Sequence, residues 1–239
     1  MIIKGKHAVI EALKQQPSQI LRIVFSNGIK QQDRVKEIHH LAQMHGINIR
    51  YIDKRVFERE YEDNNTQHVV AHCKGIPHLD LKEVLNNIDK YQKIVILDHI
   101  EDPFNFGAIL RSSAAFGIDA VIYSKHRQSS INAGVIKASS GAVYHVPLVC
   151  VSNIAQAIQQ LNKSGYWVYG TDVNTGTELH HFQANNPYAL IVGNEKKGIS
   201  KALSKHLHDT IKISMHGKIE SLNVSVATGI LLYELTRVK

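Results

Sequence analysis

From about residue 81 to the C-terminus, short apolar runs alternate with helix-patterned segments, and this alternation narrows the possible folds more than any other feature of the chain. The runs Lys93–Asp98, Ala120–Tyr123, Val146–Val149, Tyr166–Gly170 and Ala189–Gly193 are apolar at successive positions, not at every second one, and Thr210–Ile213 reads as one more short strand. Such strands must be covered on both faces. Helical spacing over Leu81–Ile88, Phe104–Phe116, Asn132–Ser140, Ile154–Leu161 and about Asn223–Arg237 supplies the covers. The expected fold is therefore α/β, with a mostly parallel sheet between helices. Ahead of it, residues 1–74 read as a smaller α/β unit. It has helices over His7–Lys14 and Gln32–His45 and strands over Ile20–Phe25, Ile47–Ile52 and His68–Cys73. Gly75-Ile76-Pro77 breaks the pattern, so residues 75–80 are expected to be a linker to the domain 81–239.

The formal net charge is +7, which favours a polyanionic partner because each neutralised phosphate releases condensed counterions. Cys73 and Cys150 stand far apart and form no CxxC, and the opening Met1–His7 lacks the apolar core of a signal peptide. No apolar stretch is long enough to span a membrane. A reducing cytoplasm is the expected compartment. The 15 histidines show no HExxH spacing, so no metal is expected and they read as solvated or locally satisfied.

Open α/β sheets bind ligands beyond the carboxyl ends of their strands, which directs attention to the strand-to-loop junctions. GxGxxG and GxSxG are absent. The run Gly193–Ser200 fails as a P-loop because Ile199 stands where the phosphate-binding lysine is required. Three junctions carry polar residues of the kinds a reaction needs. The first joins Leu97 through Asp102-Pro103 to a helix bearing Asn105 and Arg111. The second is Gly193-Asn194-Glu195-Lys196-Lys197-Gly198. The third leads through Ser221-Leu222-Asn223 into the last helix. Each has a plain alternative: Asn105 as a helix cap, Arg111 as a surface cation, Gly193 as a turn glycine, Ser221 or Asn223 as the N-cap of the last helix.

In order and spacing, Asp102-Pro103-x-Asn105-x-Gly107-x-x-x-Arg111, Gly193-Asn194-Glu195-x-x-Gly198 and Ser221-Leu222-Asn223-Val224-Ser225-Val226-Ala227 resemble the three signature motifs of the SpoU (TrmH/RlmB-like) family of RNA ribose 2′-O-methyltransferases. The opening Gly5-Lys6-His7-Ala8-Val9 resembles the small RNA-binding domain of its RlmB-like members. The resemblance implies a trefoil-knotted, mostly parallel SPOUT-type sheet in the C-terminal domain. It also implies S-adenosylmethionine as cofactor, 23S rRNA guanosine as substrate, and a homodimer whose active site borrows from both subunits. It places Thr171, Gly193, Ile213 and Leu222 at the cofactor, and Arg111, Asn105, Glu195, Ser221 and Asn223 in catalysis.

Family proposals make the arginine a base, but a guanidinium is too basic to give up its proton at ordinary pH. Arg111 is instead expected to bind the phosphate beside the target ribose and to stabilise developing alkoxide charge. Asn105 would orient Arg111 or the ribose, and Glu195, Ser221 and Asn223 would fix loops and hydrogen-bond the target. A glycine at position 193 would admit the cofactor to the backbone. The last helix, apolar at Val224, Val226, Ile230, Leu231 and Leu235, suits core packing as well as a dimer interface. Loop 124–131 suits RNA contact as well as a solvated loop. The alternatives are a tRNA ribose methyltransferase and a non-catalytic RNA-binding assembly factor. A small-molecule methyltransferase sits poorly with the basic charge and the extra domain.

Overall fold

The computed structural model describes residues 1–30, 32–61, 66–125, 129, 131–194 and 197–237. The N-terminal unit contains β1 (Ile2–Lys4), α1 (Lys6–Gln15), β2 (Ile20–Ser26), α2 (Asp33–Met44), β3 (Asn48–Ile52), α3 (Lys54–Tyr61) and β4 (Val69–Cys73). Its four-stranded sheet has the order β1-β4-β2-β3, with β2 and β3 parallel and β4 antiparallel to both its neighbours. Successive residues of β2 face opposite ways. Ile23 and Phe25 pack with Val9, Leu13, Val35 and Ile38 of α1 and α2, whereas Val24 packs with Phe57 and Tyr61 of α3. The helix α3 has no counterpart in the sequence reading, because five of its eight residues are charged and only Phe57 and Tyr61 are buried.

The larger domain contains α4 (Leu81–Asn86), β5 (Lys93–Leu97), α5 (Pro103–Ala115), β6 (Ala120–Ser124), α6 (Ala133–Ala138), β7 (Leu148–Val151), α7 (Ile154–Lys163), β8 (Trp167–Thr171), β9 (Thr177–Glu178), β10 (Tyr188–Val192), α8 (Lys201–Ser204), β11 (Asp209–Lys212) and α9 (Val224–Thr236). Its seven strands lie in the order β7-β6-β5-β10-β8-β11-β9, and every pairing is parallel. Both faces are buried, as the continuous apolar strands require. Val95 and Leu97 pack toward Phe106, Ile109 and Leu110 of α5 and Leu231 and Leu232 of α9. Ile94 and Ile96 pack toward Ile158 and Leu161 of α7 and Val84 of α4. β9 and α8 are too short to leave a periodic signal in the sequence.

Residues 75–80 do more than join the two units. His78 forms a parallel bridge with Leu148, the Leu79 amide donates to the Leu148 carbonyl at 2.8 Å, and His78 Nε2 lies 2.6 Å from the Tyr123 hydroxyl. The segment thereby covers the β7 edge, which would otherwise present unpaired backbone groups. The N-terminal unit rests on the larger domain through α1 against α6, with Ile3, Ala12 and Ile20 facing Ile136 and Tyr144. Among the described residues no helix is long and apolar enough to cross a membrane.

Candidate functional site

Strands β8, β10 and β11 end around a cleft of about 440 Å³. Its walls are Thr171–Asn174 after β8, Gly193, Asn194, Lys197 and Gly198 after β10, Ile213, Met215 and Glu220–Leu222 after β11, and Val224, Ala227 and Leu231 of α9. The cleft lies where parallel sheets place their ligands, because the carboxyl ends of the strands release loops that diverge. Thr171, Gly193, Ile213 and Leu222, spread over 52 positions of the chain, all border it.

Asp172 folds the first of these loops: its Oδ1 accepts from the amides of Asn174 and Thr175 at 2.8 and 2.9 Å. Burial pushes this carboxyl up, but those backbone bonds outweigh it and hold its pKa below the ordinary value. At Gly193 a Cβ would overlap the Gly198 carbonyl carbon and the Ile199 nitrogen. Glycine is therefore demanded by the chain's own backbone crossing over it. This requirement stands beside the sequence-based expectation that a glycine there admits the cofactor to the backbone.

The first and third junctions meet at the mouth of this cleft. Asp102 caps α5, accepting from the Phe104 and Asn105 amides, with Pro103 in the first turn. Asn105 is thus inside the helix, and its reading as a cap is excluded. Its Oδ1 accepts from Asn223 Nδ2 at 3.0 Å. Asn223 is also the N-cap of α9, accepting from the amides of Ser225 and Val226 at 2.9 and 3.3 Å. One side chain starts a helix and ties it to the helix that carries Arg111. Close packing holds α5 in place. A Cβ on Gly107 would overlap Ala138 and stand 2.8 Å from the Val135 carbonyl oxygen, so α6 can approach only a glycine.

A model of the SpoU rRNA Methylase family matches residues 92–233, and a model of RNA 2′-O ribose methyltransferase substrate binding matches residues 2–78. The chain belongs to the SpoU/TrmH family of tRNA/rRNA methyltransferases. YacO of Bacillus subtilis (strain 168), whose name places it in the TrmH family of tRNA/rRNA methyltransferases, is 33% identical over 98% of this chain and 94% of its own length. A relative of the same family name from Staphylococcus aureus (strain COL) is 35% identical over 99% of this chain and 95% of its own. The fold is also that of the AdoMet-bound rRNA methyltransferase from Sinorhizobium meliloti. That structure has a TM-score of 0.68 and 23% identity, covering 98% of this chain and 85% of that one. AviRb from Streptomyces viridochromogenes, in complex with AdoMet, has a TM-score of 0.69 at 21% identity, covering 99% of this chain and 89% of its own.

Within this SpoU/TrmH chain the structure divides the expected catalytic residues into two groups. Ser221 borders the cleft, and Asn223 reaches from the adjacent position to Asn105. Arg111 lies further along α5, is exposed, and is not among the cleft-lining residues. Glu195 lies outside the described residues, as do positions 126–128 and 130 of the loop 124–131. The last helix has two distinct faces. Val224, Thr228, Leu231 and Leu232 are buried, whereas Val226, Ile230 and Tyr233 are 51%, 40% and 56% exposed, with Phe104 of α5 at 63%.

Sequence reasoning passed over two features. Asp172 follows an apolar strand directly and precedes Asn174 and Gly176, the composition of a carboxylate-capped turn. Glu178, His180 and His181 carry ligand-type atoms within 4.8 Å of one another. The Glu178 carboxylate is already shared between His180 Nε2 at 3.3 Å and Lys212 Nζ at 3.8 Å.

Proposed function

We propose that this protein transfers a methyl group from S-adenosylmethionine to the ribose 2′-hydroxyl of a guanosine in 23S rRNA, acting as a homodimer. The observation that carries this reading is the convergence of the three motif segments. The second and third wall one cleft at the sheet's carboxyl edge, and the first is bonded to the third through Asn105 and Asn223.

The cleft fits the cofactor. Its volume falls within the ~300–1,000 Å³ usual for small-molecule sites. Ile211, Ile213, Leu222 and Leu231 offer apolar wall for a purine, while Asp172 and Glu220 offer carboxylates to ribose hydroxyls and positive centres. When bound there, S-adenosylmethionine supplies an electrophilic methyl on a sulfonium.

The chain's own residues must hold the 2′-oxygen in line and lower the cost of its developing charge. Orientation of this kind supplies about 7–11 kcal/mol. Arg111 serves as a bidentate anchor for the neighbouring phosphate and as electrostatic support for the alkoxide. Asn105 and Asn223 present a paired amide edge to the target, Ser221 adds a hydroxyl at the cleft, and Glu195 with the phosphate oxygens supplies proton acceptors.

Two features support a dimer. Arg111 stands apart from its own chain's cleft, and the exposed apolar stripe of Phe104, Val226, Ile230 and Tyr233 runs along the same pair of helices. A partner's arginine reaching this cleft would complete the site. The N-terminal unit and the net charge of +7 favour a large structured RNA.

The family name of the relatives covers tRNA as well as rRNA, which makes tRNA the second reading. The test is transfer of labelled methyl to fractionated RNA from cells lacking the protein. Label at one alkali-resistant guanosine of 23S rRNA, lost with Arg111→Ala, is the expected result. Label in tRNA overturns the substrate, and cofactor binding without label in any fraction overturns the enzyme in favour of an assembly factor.

A further inference from the structure

We propose that Asp98 and His99 form a latch that sets the position of the 193–200 loop, and through it the affinity of the cleft for cofactor; this rests on reading the cleft as the cofactor site. Neither residue belongs to the catalytic set described above, and neither borders the cleft.

β5 and β10 end together at this point, where the Asp98 amide still donates to the Val192 carbonyl at 2.9 Å. Beyond it the two chains part, one into the loop before α5 and the other into the loop that borders the cleft. Asp98 is only 2% exposed, and a buried carboxylate is costly unless its oxygens find donors. Both do: Oδ2 accepts from the Ser200 amide at 2.9 Å, and Oδ1 lies 2.6 Å from His99 Nδ1.

His99 has φ +63°, in the left-handed region that a side chain larger than glycine enters at a cost. In that conformation its carbonyl accepts from Asn194 Nδ2 at 2.9 Å. Two consecutive residues thus hold both ends of one loop, its entry through Asn194 and its exit through Ser200.

Inside the loop, Asn194 and Gly198 exchange two backbone bonds, at 3.1 and 2.8 Å. The turn is therefore closed by its own backbone and needs no help to form. What Asp98 and His99 add is its direction relative to the sheet. Gly193, Asn194, Lys197 and Gly198 are the loop's contributions to the cleft wall, so direction decides whether the wall is in place. A left-handed histidine bonded to a buried aspartate is what a fold retains when it spends conformational freedom on positioning.

The test measures S-adenosylmethionine binding by calorimetry, the cofactor KM and kcat, and thermal unfolding. Asp98→Ala is expected to raise Kd and cofactor KM about tenfold or more, the loss typical of a bond to a charged acceptor. Asp98→Asn keeps an acceptor for the Ser200 amide and should recover part of that loss. His99→Gly removes the left-handed penalty but also the partner of Asp98 Oδ1, so its unfolding temperature should stay close to that of the wild type while its cofactor affinity falls. A purely structural pair would not separate those two readouts, and His99→Gly carries the test alone should Asp98→Ala fail to fold.

Ala227→Phe, which fills the cleft, separates the two ideas. Loss of binding there, with weakened binding in the latch variants, supports the proposal. Loss there, with latch variants within about twofold of the wild-type Kd, overturns the latch alone. Unchanged binding in Ala227→Phe overturns the cleft reading and the latch with it.

Discussion

The cleft and the α5/α9 face are built by different means, although a single residue, Leu222, separates Asn223 from Ser221 at the cleft wall. The cleft is made largely of backbone: diverging strand ends, a glycine crossing at Gly193, and turns closed by Asp172 and by the Asn194–Gly198 pair. Its walls are all present in one copy of the chain. The α5/α9 face is made of side chains on two rigid helices, joined by the Asn105–Asn223 bond and bordered by exposed Phe104, Val226, Ile230 and Tyr233. Its Arg111 is exposed and is not among the residues that line the cleft. Backbone loops suit a cofactor that many folds must hold, whereas the substrate demands placed charge. In the proposed dimer, separating the two would let a second copy supply the charge.

That contrast can be broken most directly at Arg111. Arg111→Ala should lower kcat by about 10²–10³-fold, the usual cost of losing a donor to developing negative charge, with cofactor Kd within about twofold of wild type. Arg111→Lys retaining near-full activity would show that simple charge suffices. An Arg111→Ala protein that lost cofactor affinity would place the arginine in the cleft and collapse the division.

The next largest effect concerns assembly. Tyr233→Asp is expected to shift the protein to monomer in size-exclusion chromatography with light scattering. Methyl transfer should drop more than about tenfold, while cofactor binding is retained. Mixing inactive Arg111→Ala with inactive Ala227→Phe should restore about a quarter of wild-type activity if sites are shared between copies. No recovery on mixing would mean that each chain completes its own site.

A smaller difference sharpens the role of the asparagine pair. Asn223→Ala removes both the α9 cap and the bond to Asn105, so it should lower stability by about 1 kcal/mol as well as activity. Asn105→Ala should lower activity with less change in the thermal midpoint, because Asp102 still caps α5. Equal melting losses in the two variants would show that the bond, not the cap, is what stabilises α9.

The smallest effect is at the cysteines. Burial pushes the Cys73 thiol up to about 11, while Cys150 is exposed. A thiol reagent at pH 8 should label Cys150 in the folded protein and reach Cys73 only on unfolding. Early labelling of Cys73 would mean that the N-terminal sheet opens at β4, between β1 and β2.

Much of the larger domain was legible because its strands are buried on both faces and so are written as unbroken apolar runs. Helix α9 was equally plain as a helix, yet its sequence is apolar around much of its circumference, and nothing in it distinguished Val226 and Ile230 on the outer face from Leu231 and Leu232 inside. α3 stayed hidden because its residues are mostly charged, and residues 75–80 read as a linker because their pairing partner, Leu148, lies about 70 positions away. The site shows the same divide. Pro103, Asn105, Arg111, Gly193 and Asn223 stood out by spacing, but the spacing could not say that Asn105 bonds Asn223 across 118 positions, nor that the space beside Gly193 is filled by residues 198 and 199.

By itself, then, the sequence determined the strand and helix alternation, the family motifs and the strand ends from which a site had to be built, because local apolar pattern and short-range spacing are written residue by residue. Tertiary structure alone decided which strand ends adjoin, which face of α9 stays exposed, and that Asp98 and His99 hold the loop after β10, because those outcomes depend on contacts between residues roughly a hundred positions apart, which no local pattern records.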